Sequence, residues 1–475
     1  MSAEILHSRK VMVVFGLALL STACASYRPE PIAPAQTAAA LDARTLKDPK
    51  LAAFINAVRP ATAQVAPKWN LDTLTLASLY FHPDLNIAYA KLSVAQAAIR
   101  TAAQRPNPTL SLTPQFNATT SLSPWTIGGV VNLLLELFGK RTQRTEQATL
   151  LAEAARSDVA TAAWQVRGRV RSSLLDLWAA RQTLALSQRR LDLQDHLVVF
   201  LERRLALGEA SGLDVARERV NRDQFKLAVQ DAQRDLADAR ATLATAVGVP
   251  LSALEGADID VGAVADAVAP PPASIGQLRQ IALTRRSDIA SSLQQYEAAQ
   301  AALRLQIANQ FPNLALGPGY TYDQGDNKLS LRLAFDLPIF NQNQGPIAEA
   351  AARRRQAAAT LEALQAQIIG QIDRAWTAYK TTSRSLSVAD SLLNEQARRQ
   401  ERTSDLFRAG QIDHVTLLAG DLEVATTKLS RLQALVSQRR ALGQIEDALQ
   451  QPIFAPATPI PASGARAGVQ AEPAQ

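Results

Sequence analysis

The chain of 475 residues contains one cysteine, Cys24, and two methionines, Met1 and Met12. A single thiol excludes an internal disulfide and a cysteine-rich metal site. Beyond Cys24 no thiolate or thioether remains, so a soft-metal relay has no residues from which to be built. Histidine is sparse too: after His7 come only His82, His196 and His414, on separate segments. There is no Ser-His-Asp order, zinc spacing, HExxH or phosphate-binding glycine loop, so neither catalysis nor a cofactor is expected. Carboxylates are scattered along helical faces, where solvated surface accounts for them better than paired acid–base work. Aromatics make up 5% of the chain and hydrophobic residues, largely Ala and Leu, 47%. That balance suits long helices rather than an all-β domain. The net charge of +7 has no basic stripe with interleaved aromatics, so nucleic acid is not an expected partner.

Long apolar runs are missing as well. A membrane-spanning helix needs about 20 apolar residues, and the nearest candidate, Val11 to Leu20, is too short. It follows Arg9 and Lys10 and precedes "STACAS", the layout of an export signal over residues 1–23. Cys24 after "LLSTA" resembles a bacterial lipoprotein signal, although Ser21 stands where that pattern usually has Leu. The resemblance implies cleavage before Cys24 and its acylation, palmitate included. Ala25 in place of Asp implies sorting to the outer membrane.

What the chain does have is itself twice. At an offset of 204, "HPDL" (82–85) meets "RSDI" (286–289), "AAIR" (97–100) meets "AALR" (301–304), and Pro108 meets Pro312. Past the strands the offset becomes 202: Phe138 meets Phe340, "QVRG" (165–168) meets "QIIG" (367–370), Gly208 meets Gly410, and Pro250 meets Pro452. Such a register marks a duplication. It divides the chain into an N-terminal linker (24–68), a first repeat (69–250), a Pro/Gly-rich linker (251–274), a second repeat (275–452) and a tail (453–475). The linkers are expected to form a belt at mid-length. Each repeat reads helix, strand, strand, long helix, turn, helix. The upstream helices are expected over 71–104 and 275–309, and the long helices over 141–207 and 346–409. Apolar residues at spacings of three and four, such as Leu418, Leu422, Ala425, Leu429 and Leu432, predict helices packed along their length.

Four strands are expected, over 109–117, 126–137, 313–322 and 328–338. In the last, Leu329, Leu331, Leu333, Phe335 and Leu337 share one face and Lys328, Ser330, Arg332 and Asp336 the other. An oily face and a polar face over about ten residues suit a transmembrane barrel strand that borders lipid outside and water inside. Four strands cannot close a barrel, and open edges in lipid cost several kcal/mol per unpaired group. Several chains must therefore contribute to one barrel. The competing reading is a soluble sheet resting on helices.

The duplication, the "HPDL" and "RSDI" helix starts, the "AAIR…PNPTLSL" and "AALR…FPNLAL" junctions and "DLPIFNQNQGPIAEA" (336–350) together resemble the TolC-type outer-membrane efflux channels. The resemblance covers about 69–452 and implies a mainly α fold with a small membrane β part. In that fold a homotrimer forms a twelve-stranded barrel continuing into a helical periplasmic tunnel. It implies a passive exit duct in a Gram-negative outer membrane, partnered by a periplasmic adaptor and a proton-driven inner-membrane pump. The "DLPIFNQNQG" junction looks closest to the heavy-metal cation branch, ahead of drugs and other small molecules as cargo. The resemblance also places adaptor docking at the helix turns, at Leu207, Gly208, Glu209, Ser211 and Gly212, and at Ala409, Gly410, Gln411 and Asp413. Where the family often carries acidic gate residues this chain has Thr416 and Ala419, which leaves Asp413 and Asp421 as the nearest gate candidates. The alternative function is a periplasmic coiled-coil scaffold with no pore, for which lipid-length ribbons would have no use.

Overall fold

The computed structural model describes residues 27–58, 68–118, 124–265 and 274–453. The expected export signal, Cys24, residues 119–123 and most of the tail lie outside the described residues. Residues up to Arg44 form one compact unit and Thr45 onward another. The first carries helix α1 (Pro34–Asp42), with proline at its first turn, where no amide hydrogen is needed.

The second unit follows the duplication. After α2 (Pro49–Val58), the first repeat runs α3 (Leu71–Phe81), α4 (Pro83–Ala103), β1 (Thr109–Phe116), β2 (Trp125–Leu135), α5 (Lys140–Ala206) and α6 (Gly212–Val247). A short α7 (Gly262–Ala265) lies in the linker. The second repeat runs α8 (Ile275–Arg285), α9 (Ser287–Ala308), β3 (Leu314–Asp323), β4 (Asp326–Ala334), α10 (Gln344–Arg408) and α11 (His414–Leu449). At 67 and 65 residues, α5 and α10 each span about 100 Å at 1.5 Å per residue.

Each expected upstream helix is in fact two. The first breaks at His82, which is extended because Pro83 disfavours helical geometry in the residue before it. Its equivalent, Arg286, is extended without a following proline. A local ion pair and a tertiary bond hold it open: its guanidinium pairs with Asp288 at 2.6 Å and donates to the Ala448 carbonyl at 2.7 Å. The Ser287 amide donates to Gln450 Oε1 at 2.9 Å.

Two apolar cores sit beside these breaks. One gathers Leu51 of α2, Leu74 and Leu76 of α3, Leu174 and Leu177 of α5, and Leu243 of α6. Leu254 and Val264 of the linker join it, and the neighbouring backbone bonds Trp69 to Asp258 and Asp260. The other gathers Leu278 of α8, Ile368 and Ile372 of α10, and Ile445 and Leu449 of α11.

The repeats meet where α5 packs on α9 and on α11, and ion pairs cross the α5–α11 seam. Arg171 reaches Asp447 at 2.7 Å, Arg167 reaches Glu446 at 3.4 Å, and Arg440 reaches Asp176 at 2.7 Å. Gly443 makes room for this network: a β-carbon there would fall 1.2 Å from Arg171 Nη1.

Leu174 is fully buried where α5 meets the first core. Leu174→Ala is expected to lower unfolding stability by about 2–5 kcal/mol. Thermal unfolding in detergent, followed by far-UV circular dichroism, measures the loss.

Candidate functional site

The first candidate site is the sheet. Its order is β1-β2-β3-β4, antiparallel throughout. The registers align the faces of all four strands. Leu112, Gly129, Tyr320 and Leu329 form one row across the sheet, and Leu110, Val131, Pro318 and Leu331 the next. Rows of the opposite face read Thr113, Gly128, Thr321 and Lys328, then Ser111, Val130, Gly319 and Ser330. The alternation visible in each separate strand thus becomes one oily surface backed by one polar or small surface. Leu329, Leu331 and Leu333 are exposed, Leu329 to 88%.

Aromatic residues mark the hairpin end of the oily face, where Phe116 and Trp125 pack edge to face with ring centroids 5.1 Å apart. Membrane barrels carry such girdles at the interface. The β3–β4 turn uses Gln324 and Gly325, both at positive φ, as a two-residue hairpin prefers.

Phe335 and Leu337 correct the sequence reading: both lie beyond the end of β4 at Ala334. The reason is the neighbour. β3 begins at Leu314, two residues after Pro312, and its last partner on β4 is Ala334. The segment past Ala334 has no strand of its own chain to pair with among the described residues, yet Phe335, Leu337, Ile339 and Phe340 are all exposed.

At the sheet base Phe138 of the first repeat stacks on Phe311 of the second, centroids 4.4 Å apart. Lys140, buried, donates to the Phe311 carbonyl at 2.6 Å and to Asn313 Oδ1 at 2.7 Å. This junction ties the strand ends to the start of α5.

The second candidate site is the pair of helix turns at the far end of α5 and α10. Gly208 and Gly410 have φ of +78° and +74°. Each closes a paired-bond helix stop: Glu209 N donates to Arg204 O and Gly208 N to Leu205 O, as Gln411 N does to Leu406 O and Gly410 N to Phe407 O. Ser211 then caps α6 through Leu213 N at 3.1 Å, and Asp413 caps α11 through Thr416 N at 2.9 Å. Leu207, Glu209 and Ala409 lie in the turns, while Gly212 is already the first residue of α6. Leu193, Leu197 and Leu201 of α5, Val215 of α6, and Leu418 and Ala425 of α11 form a small core behind both turns.

One residue that sequence reasoning left out joins the turns. Arg204 lies 3.3 Å from Asp413 and 3.7 Å from Glu209. Its repeat equivalent is Leu406, so the duplication gave no signal for it. His414 packs between Phe200 and Phe407, with centroids at 5.1 and 5.4 Å. Asp421 accepts from Gln400 Nε2 at 2.7 Å. Both gate candidates therefore have partners within the chain. Among the described residues no group of three or more metal-ligating side chains comes together, and no helix is long and apolar enough to cross a membrane.

The family model of outer membrane efflux proteins matches residues 77–249 and 278–450, one match for each repeat. The chain belongs to the outer membrane efflux protein family. Among relatives, it is 28% identical to the pyoverdine export outer membrane protein OpmQ of Pseudomonas aeruginosa over 431 residues, covering 78% of this chain and 85% of OpmQ. It is 26% identical to the cobalt-zinc-cadmium resistance protein CzcC of Cupriavidus metallidurans over 264 residues, 55% of this chain and 61% of CzcC. The crystal structure of the outer membrane protein VceC of Vibrio cholerae superposes with a TM-score of 0.66 at 18% identity, covering 81% of this chain and 96% of VceC.

Asp413 gives this site a pH signature. Its bond from the Thr416 amide, then that from the Thr416 hydroxyl and the nearby Arg204 charge, hold its carboxyl below the usual carboxylate range against the opposing effect of burial. A lowered folded value means the cap contributes fully above the unfolded value of about 4 and is lost as pH falls through the lowered one. Amide exchange at 414–417, corrected for intrinsic rate, is expected to stay flat from neutral pH to about 5 and to accelerate only below about 4. Asp413→Asn, which keeps a capping oxygen, is expected to remove that dependence.

Proposed function

We propose that this chain is the passive exit duct of a tripartite efflux system. In this reading a homotrimer closes a twelve-stranded barrel in the outer membrane and continues into a helical tunnel through the periplasm. A lipid on Cys24 adds an anchor, an inner-membrane pump supplies the energy, and a periplasmic adaptor docks on the turns around Gly208 and Gly410. Catalysis plays no part. The observation that carries the reading is the sheet: an oily face, a polar face, and two outer edges that hydrocarbon would not tolerate unpaired. A scaffold without a pore has no use for that surface.

Asp413 and Asp421 are the proposed constriction residues near the tip. Opening there would act on the Asp413–Arg204 and Asp421–Gln400 contacts, through a shift of packed helices. For cargo we favour heavy-metal cations, on the "DLPIFNQNQG" junction and the likeness to CzcC. The longer match to OpmQ makes pyoverdine the second reading.

Leu331→Lys with Leu333→Lys is expected to cost about 2–4 kcal/mol per site if these residues face the lipid midplane. The oligomer should then disappear from the detergent-extracted outer-membrane fraction. Its undiminished recovery there would overturn the membrane reading.

A strain lacking the chain is expected to become sensitive to cobalt, zinc or cadmium. Restoring it with a Gly208→Arg, Gly410→Arg variant should leave the oligomer in the membrane and the sensitivity uncorrected. Full correction by that variant would remove the docking role. Unchanged metal tolerance with pyoverdine held back in the periplasm would move the cargo to the second reading.

A further inference from the structure

One charge on the polar face of the sheet stands apart from the others. Neither β1 (Thr109–Phe116) nor β2 (Trp125–Leu135) contains a charged residue. β3 has Asp323 at its end, and β4 has Asp326, Lys328 and Arg332. Asp323, Asp326 and Lys328 gather at the β3–β4 turn, where the Lys328 ammonium lies 2.7 Å from Asp323 Oδ2. That leaves Arg332, further along β4 between Leu331 and Leu333 of the oily face but pointing the other way.

Nothing nearby neutralises it. Arg332 is exposed and has no ion pair or hydrogen bond among the described residues. Across the ladder stands Gly317, which brings no side chain. A β-carbon there would fall 3.1 Å from Arg332 Cβ, from Asn132 Oδ1 and from Val130 Cγ1. The next polar group across the sheet is therefore the neutral Asn132, whose Nδ2 donates to Ser111 Oγ at 3.3 Å. Gly319, opposite Ser330, leaves the adjacent row short as well. Along the chain the neighbouring charges are Lys328 and, past the end of β4, Asp336. Each is four residues away, about 13 Å of strand, which exceeds the Debye length of about 10 Å at 0.1 M salt. Glu136, past the end of β2, is already paired with Arg144 at 2.7 Å.

We infer that Arg332 sets the charge preference of the barrel, as a positive ring that favours an anionic complex over a bare divalent cation. The inference rests on the duct reading and names the form in which cargo passes. Three copies bring three Arg332 side chains to one level of the wall. The strand of a neighbouring copy that adjoins β4 adds no opposite charge if it is β1, since β1 has none. Rings of arginine or lysine line pores that prefer anions. A divalent cation meets twice the repulsion of a monovalent one at this level, while a complex of net negative charge is attracted. Metal cargo therefore crosses the barrel more readily inside a shell of anionic ligands than as the free ion.

The test reads the local potential and does not require the tip to open. Ser330→Cys, two residues from Arg332 on the same face, is made in the full chain in its own membrane. Whole cells are then labelled with two methanethiosulfonate reagents, one bearing a sulfonate and one a trimethylammonium. The parent chain, with Cys24 alone, gives the background. Adding Arg332→Gln is expected to lower the sulfonate-to-ammonium rate ratio about twofold at 0.1 M salt and about fourfold at 0.01 M. Arg332→Lys should preserve the ratio, and Ala334→Cys, on the other side of Arg332, should repeat the result. With Arg332 in place the ratio should also decline as salt rises, a measurement that stands even where Arg332→Gln does not assemble. Labelling at a ratio that neither salt nor Arg332→Gln changes overturns the ring and spares the duct. If neither reagent reaches position 330 or 334, the water-lined face is overturned, and both readings with it.

Discussion

Backbone amides and carbonyls at the outer edges of β1 and β4 set the terms for everything else in this protein. In water they would be satisfied at no cost; in hydrocarbon each would cost several kcal/mol. The oily face of the sheet, continuous across four strands, is suited to hydrocarbon. The same surface that makes the sheet suited to a membrane therefore makes the lone chain unsuited to it. In the proposed duct, assembly would be a condition of insertion rather than an addition to it.

The helices answer a different demand. A sheet this small cannot position helices about 100 Å long by itself. The base junction does so through Phe138, Phe311 and the buried Lys140, and the two mid-length cores do so again where the short helices break. Both breaks fall at equivalent positions, and both cores include a short helix that leads into the break, α3 at His82 and α8 at Arg286. The breaks are thus part of how each repeat gathers its core at mid-length.

How much of this could be read from the sequence depended on the range of the forces involved. Alternation at Leu329, Leu331 and Leu333 is local and survived intact into the sheet. Gly208 and Gly410 stood out because a positive φ is nearly a glycine property, and Ser211 and Asp413 because capping acts over three residues. The break at His82 was written in Pro83. The break at Arg286 was not: it depends on Ala448 and Gln450, more than 160 residues away. Arg204 was invisible for a related reason. It departs from its repeat partner Leu406, and a pairing that exists in only one repeat leaves no periodic trace. Phe335 and Leu337 alternate correctly but lack a neighbour in their own chain, so their strand character ends where β3 does.

The seam between repeats carries a last consequence of duplication. Arg167–Glu446, Arg171–Asp447, Arg440–Asp176 and Arg204–Asp413 join the two halves. At the corresponding positions of a seam between copies stand Ile369 and Ala244, Asp373 and Thr245, Asp238 and Ala378, and Leu406 and Ser211. None is an opposite-charge pair. Ion pairs fix orientation and partner choice more than they add stability, so within the chain they lock two similar halves into one arrangement. In the proposed assembly, with Leu213, Val220 and Leu227 of α6 exposed, contact between copies would rest on burial, which is non-directional and tolerates sliding. In the proposed tunnel such a seam would give way before the one within a chain, and the Arg204–Asp413 contact would travel with its own chain.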